Sequence, residues 1–469
     1  MKKRDIVEGI VERVDFPNKG VIMLEDGTKC IVKNALPGQK VSAQIQKLKK
    51  NKAEARLLEV IEEDSDAVKS PCRHFGQCGG CNYLSMPYIK ELGLKEQQVR
   101  GLLAPILDAQ SQPYTWEGIK ASPAQFGYRN KMEFTFGDEE LDGPLALGMH
   151  KRGSFYDIVS VTDCQIVDED YRQILRTVLG TFSKDYDEGR ISFYHRMKQV
   201  GYLRHLLVRK AAKTGEILID IITTTQETHD LTPFVDALLD LKLDGRIVGI
   251  LHTANDSLSD AVKNDGTEIL YGVDFFYEEL LGLKFRITPF SFFQTNSLSA
   301  EVLYDTVRDY VAGVMCGKNT GILYDLYCGT GTISQLMSPV SSKVIGVEIV
   351  EEAVTAAKEN AEMNGITNCE FIADDVLKAL DNIEEKPDFI ILDPPRDGVN
   401  PKALRKILDY GVQNIVYVSC KPTSLARDLE IMEAAGYYVR RGCCCDQFPW
   451  TVHCETIVLL SREAEIIAE

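Results

Sequence analysis

From about residue 291 onward, short apolar strands alternate with helical stretches, and this alternation restricts the fold more than any other feature. The predicted strands are LYDLYCG, KVIGVEIV, CEFIADD, DFIILDPP and NIVYVSC, and the intervening helix EEAVTAAKENAEMNG ends at Gly365. Such alternation predicts a parallel sheet covered by helices on both faces. Ligands of these sheets bind at the carboxyl ends of the strands, so the residues there are the first site candidates.

The first predicted strand ends in DLYCGTGT, residues 325 to 332. Gly329 and Gly331 allow a tight turn and a close approach of the backbone to a ligand, and the next strand ends in Glu348, 17 residues after Gly331. A carboxylate at that place can accept hydrogen bonds from both hydroxyls of a ribose. The spacing therefore predicts a nucleoside cofactor, and on spacing alone NAD and S-adenosylmethionine are both open.

The fourth and fifth predicted strands end in Asp393-Pro394-Pro395 and in Cys420. An Asp-Pro-Pro at a strand end resembles the segment with which many class I methyltransferases hold a planar base or an amino group. A free cysteine is most often a small buried hydrophobe. At a strand end beside Asp393, however, and followed by Lys421, which favours the thiolate, Cys420 becomes a candidate nucleophile.

The chemistry that requires such a cysteine is methylation at carbon 5 of uracil. That carbon is a poor nucleophile until a thiolate adds to carbon 6, and a base must afterwards remove the carbon 5 proton. Glu455 is the preferred base, and it alternates with His453 so that both would share one face of a strand. Methyl transfer to an exocyclic nitrogen needs no protein nucleophile and is the alternative enzyme function.

The amino-terminal region differs in charge from the rest of the chain. The whole chain has 53 Lys plus Arg and 70 Asp plus Glu, a net charge of −17, which argues against a polybasic nucleic-acid coat. Residues 1 to 60 carry 13 Lys plus Arg against 8 Asp plus Glu, a net +5. Five short strand-like runs in this region predict a small β-barrel of the OB type, and four lysines near one hairpin favour an RNA or DNA surface.

The middle of the chain, to about residue 290, mixes helices with alternating strands and predicts an α+β domain with an antiparallel sheet. A basic stretch with aromatic residues, 195 to 213, is a candidate nucleic-acid face or a charged strand edge. Cys72, Cys78 and Cys81 have the spacing CxxxxxCxxC and need a fourth ligand to hold either zinc or an iron–sulfur cluster. The consecutive cysteines 443 to 445 are expected to be core or strand-edge residues.

Taken together, these motifs resemble the RNA (uracil-5-)-methyltransferase family, whose bacterial members act on 23S rRNA or tRNA. The matching segments are FSFFQTN, DLYCGTGT, DPPRDG, SCKP and FPWTVHCET. The resemblance covers nearly the whole chain and implies three domains. These are an OB-like TRAM domain at 1–64, a central α+β domain with the cysteine site and an RNA-binding surface at 65–290, and a Rossmann-like class I methyltransferase domain at 291–469.

The resemblance implies a role for each motif residue. Cys420 would be the nucleophile and Glu455 the base. Contacts to S-adenosylmethionine would come from Gln294, Tyr327, Glu348 and Asp393, with Thr332, where relatives often have Asn, and Asp374, near the adenine, as further contacts. Cys164 would complete a [4Fe–4S] site with Cys72, Cys78 and Cys81.

We therefore expect a cytoplasmic, monomeric enzyme that methylates an unstacked or flipped uridine in 23S rRNA, with tRNA as the alternative substrate. The TRAM-like region favours rRNA. No DNA partner is expected. No membrane partner is expected either, because no apolar run reaches the ~18 residues of a spanning helix and the amino terminus lacks a signal peptide. A non-enzymatic iron–sulfur RNA-binding factor is the third hypothesis.

Overall fold

A computed structural model of the chain describes residues 2–314 and 321–462. The predicted domain at 291–469 thus includes two stretches, 315–320 and 463–469, that lie outside the described residues. No helix within the described ranges combines the length and the apolar character needed to cross a membrane.

The strands and helices are numbered in chain order. The strands are β1 (Ile6–Ile10), β2 (Arg13–Asp15), β3 (Lys19–Met23), β4 (Lys29–Lys33), β5 (Lys40–Lys49), β6 (Lys52–Glu62), β7 (Thr115–Lys120), β8 (Lys131–Asp138), β9 (Leu145–His150), β10 (Ile158–Ser160), β11 (Leu203–Lys210), β12 (Glu216–Thr223), β13 (Arg246–Ala254), β14 (Gly266–Gly272), β15 (Phe276–Leu280), β16 (Leu283–Ile287), β17 (Ile322–Leu326), β18 (Lys343–Glu348), β19 (Cys369–Ala373), β20 (Phe389–Leu392), β21 (Asn414–Ser419), β22 (Tyr438–Cys445) and β23 (Glu455–Ser461). The helices are α1 (Tyr88–Leu107), α2 (Glu169–Asp187), α3 (Thr232–Leu239), α4 (Ser297–Val314), α5 (Thr332–Met337), α6 (Glu351–Met363), α7 (Val376–Asn382), α8 (Pro401–Asp409) and α9 (Pro422–Ala434).

The amino-terminal region is rich in β structure, as predicted. Its six strands form one sheet in the order β1-β5-β6-β4-β3-β2, and buried side chains alternate with more exposed ones along the first half of β5. The β5–β6 hairpin turns at Lys50 and Asn51, and residues 46–52 are exposed. The four lysines of the predicted basic hairpin therefore face solvent.

The middle sheet has seven strands in the order β10-β9-β8-β11-β12-β13-β14. Its neighbours pair antiparallel except β12 and β13, which run parallel. The expectation of a purely antiparallel sheet is therefore corrected at this pair. The physical reason is α3, because parallel neighbours need a crossover connection and α3 supplies it.

The carboxyl-terminal sheet has the order β19-β18-β17-β20-β21-β23-β22-β7. The strands from β19 to β21 are parallel, which confirms the predicted α/β fold of this region. Because β18 and β20 lie on opposite sides of β17, the direction of strand addition reverses between β17 and β20. A ligand crevice is expected outside the carboxyl ends of these two strands.

Two elements of the segment 65–290 belong to this sheet as well. Strand β7 pairs in parallel with β22, and α1 packs against α9 and β7. Leu103 and Leu107 of α1 contribute to the same buried core as the parallel strands. The carboxyl-terminal sheet is therefore completed by residues that precede it by more than 200 positions.

Candidate active site

The loop after β17 is a tight turn with three residues at positive φ. Tyr327, Gly329 and Gly331 have φ values of 70°, 54° and 72°. A Cβ at Gly331 would lie 2.6 Å from the Phe371 ring, so no other residue fits there without displacement. A Cβ at Gly329 would meet nothing within 4 Å, so open space adjoins the loop.

Glu348 ties this loop to the ends of the neighbouring strands. One of its carboxylate oxygens accepts a hydrogen bond from the Gly329 N–H at 3.1 Å, and the other accepts from the Val350 N–H at 3.0 Å. The Asp374 N–H donates to the Glu348 carbonyl at 3.0 Å. The predicted residues Tyr327, Glu348 and Asp374 therefore meet at one edge of the sheet.

Thr332 and Gln294 lie at or near the beginnings of two helices, α5 and α4. Thr332 is the first residue of α5 and is buried. Gln294 precedes α4, and its carbonyl accepts a hydrogen bond from the Asn130 side chain at 2.8 Å. The Gln294 side chain hydrogen-bonds to Tyr304, a buried residue of α4 whose hydroxyl pKa is raised by burial, and then by nearby carboxylates.

Cys420, Asp393 and Glu455 converge at the same edge. Cys420 and Asp393 follow the parallel strands β21 and β20. Strand β23 is antiparallel to β21, with Ser419 paired to Thr456, so its first residue, Glu455, lies where β21 ends. His453 lies in the irregular segment before β23 instead of within the strand, which corrects the expected strand alternation with Glu455.

Burial, and then repulsion by nearby carboxylates, raise the pKa values of these three groups. The Glu455 carboxyl has a pKa of about 8, raised by burial and then by Asp393. The Asp393 pKa is raised to about 7 by burial and by Asp325. Burial, then Glu455 and Asp393, raises the pKa of the Cys420 thiol to about 11. The site thus holds a protonatable carboxyl and a nucleophilic atom whose charges are coupled.

Sequence reasoning missed two residues of this site. Arg396, at the end of DPPR, lowers the pKa of both Cys420 and Glu455, so its charge favours their ionised forms. The sequence feature that could have indicated Arg396 is its position directly after the Asp-Pro-Pro segment. Tyr304 had no signal, because only the packing of α4 brings a residue from the middle of that helix near Asp393 and Glu455.

Glu455→Gln is expected to stabilise the fold in a pH-dependent way. The folded-state pKa of about 8 lies above the ordinary value of 4.5, so the protonated carboxyl favours the fold at low pH, and this contribution is lost as pH rises through about 8. A neutral amide avoids that loss. The free energy of unfolding of Glu455→Gln relative to wild type should therefore rise by a few kcal/mol between pH 5 and pH 8.5. Denaturant unfolding at both pH values measures this difference, and an equal difference would contradict the buried carboxyl.

The four predicted ligand cysteines lie together against the core of the middle sheet. All four are free thiols. Burial raises the pKa of the Cys81 thiol, and Cys164, Cys78 and Cys72 each raise it further, so Cys81 interacts electrostatically with the other three sulfurs. Within residues 2–314 and 321–462, no three His, Cys, Asp or Glu side chains are placed to ligate one metal ion.

The basic stretch 195–213 presents less free charge than its sequence indicates. Arg204 and Arg209 are only 2% and 1% exposed and donate to backbone carbonyls of neighbouring loops. Lys210 pairs with two aspartates and Lys213 with a glutamate. These cations connect loops and helices to the middle sheet instead of forming an open cationic face.

The cysteines 443 to 445 are fully buried in β22, as expected of core residues.

Known proteins share both the sequence and the fold. The family described as tRNA (Uracil-5-)-methyltransferase matches residues 263–463. An RNA methyltransferase of Clostridium tetani described as uncharacterized is 45% identical over 463 residues, which cover 99% of each chain. Another, from Caldanaerobacter subterraneus subsp. tengcongensis, is 47% identical over 98% of this chain and 100% of its own.

A solved structure extends the likeness to the whole fold. The Pyrococcus abyssi tRNA (uracil-54, C5)-methyltransferase, in complex with S-adenosyl-L-homocysteine, matches 97% of this chain and 100% of its own with a TM-score of 0.74. Its identity of 23% limits this likeness to the fold. The identity to the two relatives extends over nearly their whole length, and the family match covers the strand-end site. The chain therefore belongs to the RNA (uracil-5-)-methyltransferase family.

Proposed function

We propose that this protein transfers a methyl group from S-adenosylmethionine to carbon 5 of a uridine in 23S rRNA. The observation that carries this proposal is the meeting of Cys420, Glu455 and Asp393 at the carboxyl edge of the parallel sheet. A nitrogen methyltransferase has no use for a nucleophilic thiol opposite a buried carboxyl, whereas carbon 5 chemistry needs both.

Cys420 and Glu455 divide the reaction between them. The Cys420 thiolate forms a bond to carbon 6 and makes carbon 5 nucleophilic, so that carbon 5 takes the methyl group. Glu455 then accepts the carbon 5 proton, and the electrons of that bond expel the Cys420 thiolate and restore the ring double bond. A glutamate with a pKa of about 8 is a stronger base than an ordinary carboxylate, which suits the removal of a carbon-bound proton.

The crevice at β17 fits S-adenosylmethionine, which supplies an electrophilic methyl group on a sulfonium. Open space adjoins Gly329, and the Glu348 carboxylate borders it in a place suited to ribose hydroxyls. We infer that the further contacts come from the other residues at this edge. These are Gln294, Tyr327, Thr332, Asp374 and Asp393.

We infer that the amino-terminal sheet is an OB-like TRAM domain that binds RNA. Its β5–β6 hairpin exposes Lys47, Lys49, Lys50 and Lys52, a local positive surface on an acidic protein. Such a surface can follow a phosphate backbone. The resemblance of this region to the TRAM domain of the family's rRNA members is the reason why we propose 23S rRNA over tRNA.

The nucleic-acid substrate can be identified by mapping 5-methyluridine in cells with and without the gene. We expect the loss of this nucleotide at a position of 23S rRNA and unchanged 5-methyluridine in tRNA. A loss confined to tRNA would overturn the rRNA assignment and leave the carbon 5 chemistry intact.

We further infer that Cys72, Cys78, Cys81 and Cys164 hold a [4Fe–4S] cluster. Burial, and then the neighbouring sulfurs, raise the pKa of Cys81 and Cys164, so these thiols would ionise together only around a cationic centre. A single zinc needs all its ligands within about 2.3 Å of one point, and the described side chains do not offer such a set. A four-iron cluster bonds each cysteine to a different iron and does not require a common point.

Cys78→Ser is expected to remove most of the bound iron and sulfide from anaerobically purified protein. Cys30→Ser is the matched control, because Cys30 is a buried thiol of the amino-terminal sheet. Iron and sulfide analysis of both variants provides the measurement. Unchanged iron in Cys78→Ser would exclude Cys78 from the site.

A further inference from the structure

We propose that Lys95 is a positioning residue for Glu455, acting through residues 446–454, here called the base segment. This inference rests on the proposed function, because it assigns Glu455 as the base. The base segment connects β22 to β23 and has no regular secondary structure, so its contacts with other parts of the chain, from both backbone and side chains, set its shape. Glu455 follows it directly.

Lys95 ties α1 to the base segment from a fully buried position. Its Nζ lies 2.7 Å from an oxygen of Glu91 and 2.7 Å from an oxygen of Asp446, and all three side chains are 0% exposed. It also donates to the Phe448 carbonyl at 3.0 Å. Burial lowers the Lys95 pKa, but Glu91 and Asp446 more than offset this and raise it to about 12, so the contact is ionic.

Two further residues of the same helix face hold the base segment. The Tyr88 hydroxyl donates to Asp446 at 2.8 Å, and Glu91 accepts from the Trp450 N–H at 2.6 Å. Residues 88, 91 and 95 lie three and four positions apart, so they share one face of α1. Asp446, Phe448 and Trp450 are thus all contacted by one helical face.

Glu455 stands in the terminal pair of the β22–β23 ladder, opposite Cys445, so the base segment begins and ends at this pair. Cys420 does not border the base segment, because it lies between β21 and α9, which are fixed by the ladder of the sheet and by the core between helix and sheet. Loss of Lys95 should therefore displace Glu455 and leave Cys420 in place. Because the two residues act in successive steps, this displacement changes which step is slow.

The test uses Lys95→Met in the full-length protein, with RNA substrate and S-adenosylmethionine. We expect kcat to fall about 10- to 100-fold with little change in the KM for RNA, as misplacement of a catalytic group does. We also expect the covalent protein–RNA complex trapped by denaturing quench to exceed the wild-type amount. Cys420 still adds in this variant, whereas proton removal and thiolate release are slow.

Lys210→Met is the matched control. Lys210 also bridges two carboxylates, Asp168 at 2.5 Å and Asp170 at 2.6 Å, but it lies in the middle sheet and does not contact the base segment. A purely structural role of a lysine that bridges two carboxylates predicts the same behaviour for both variants. We expect kcat and the amount of complex in Lys210→Met to stay within about twofold of wild type.

Two results would overturn the inference: an unchanged kcat in Lys95→Met, or a fall in kcat with an equal or greater fall in the covalent complex. If Lys95→Met does not fold, Asp446→Asn removes the ion pair between Lys95 and Asp446 at nearly constant volume and keeps the pair with Glu91, and the same accumulation is expected. Absence of any covalent complex in the wild-type enzyme would instead reject the proposed function.

Discussion

Replacing Cys420 with Ala is expected to abolish methyl transfer, with a loss on the order of 10⁶-fold. Without the thiolate, carbon 5 of uracil cannot become nucleophilic. Transfer of label from S-adenosylmethionine to RNA measures the rate. Denaturing electrophoresis should show no covalent protein–RNA complex.

Cys369→Ala is the control for this experiment. Cys369 is the first residue of β19 and lies at the amino end of the parallel strands, whereas Cys420 follows the carboxyl end of β21. The loss of Cys369 should therefore leave activity near the wild-type level. Retained activity in Cys420→Ala would contradict the covalent route. It would favour methylation of an exocyclic nitrogen, in which Asp393-Pro394-Pro395 would hold the amino group.

Glu455→Gln is expected to lower turnover by about 10² to 10⁴-fold, the usual contribution of a general base. The amide cannot accept the carbon 5 proton, so the reaction should stop after methyl transfer with the RNA still bonded to Cys420. Single-turnover experiments that follow both labelled methyl and the covalent complex can separate these steps. The complex should persist far longer than in wild type.

Glu370→Gln serves as the control, because Glu370 is an exposed residue of β19. Its turnover should equal that of wild type. Wild-type turnover in Glu455→Gln would show that another group removes the proton. Loss of the covalent complex together with turnover would assign Glu455 to the addition step instead.

The parallel sheet could be predicted because its strands are buried on both faces. The β20 residues Phe389–Leu392 are entirely apolar, and such a run followed by Asp393 marks a strand end in the sequence itself. Gly331 likewise signals its turn, because φ of 72° and contact with Phe371 both demand glycine. Local chemistry determines these features, so local sequence indicates them.

The features that could not be predicted from the sequence depend on contacts between distant parts of the chain. Strand β7 reads as an isolated run within the segment 65–290, and only pairing with β22 makes it part of the carboxyl-terminal sheet. Lys95 looks like a solvated helix residue until Asp446, 351 positions away, neutralises it in the core. The two interpretations of the basic stretch 195–213 could not be separated for the same reason, because only the tertiary structure shows that Arg204 and Arg209 are buried and that Lys210 and Lys213 are paired with carboxylates.

The most direct test of the account follows the hydrogen on carbon 5. RNA labelled with tritium at carbon 5 of uridine should be incubated with the protein and S-adenosylmethionine carrying a labelled methyl group. Methylation at carbon 5 replaces that hydrogen, so we expect one tritium released to water for each methyl group incorporated, and neither event in Cys420→Ala. Methyl incorporation without tritium release would contradict the assignment of carbon 5 as the acceptor.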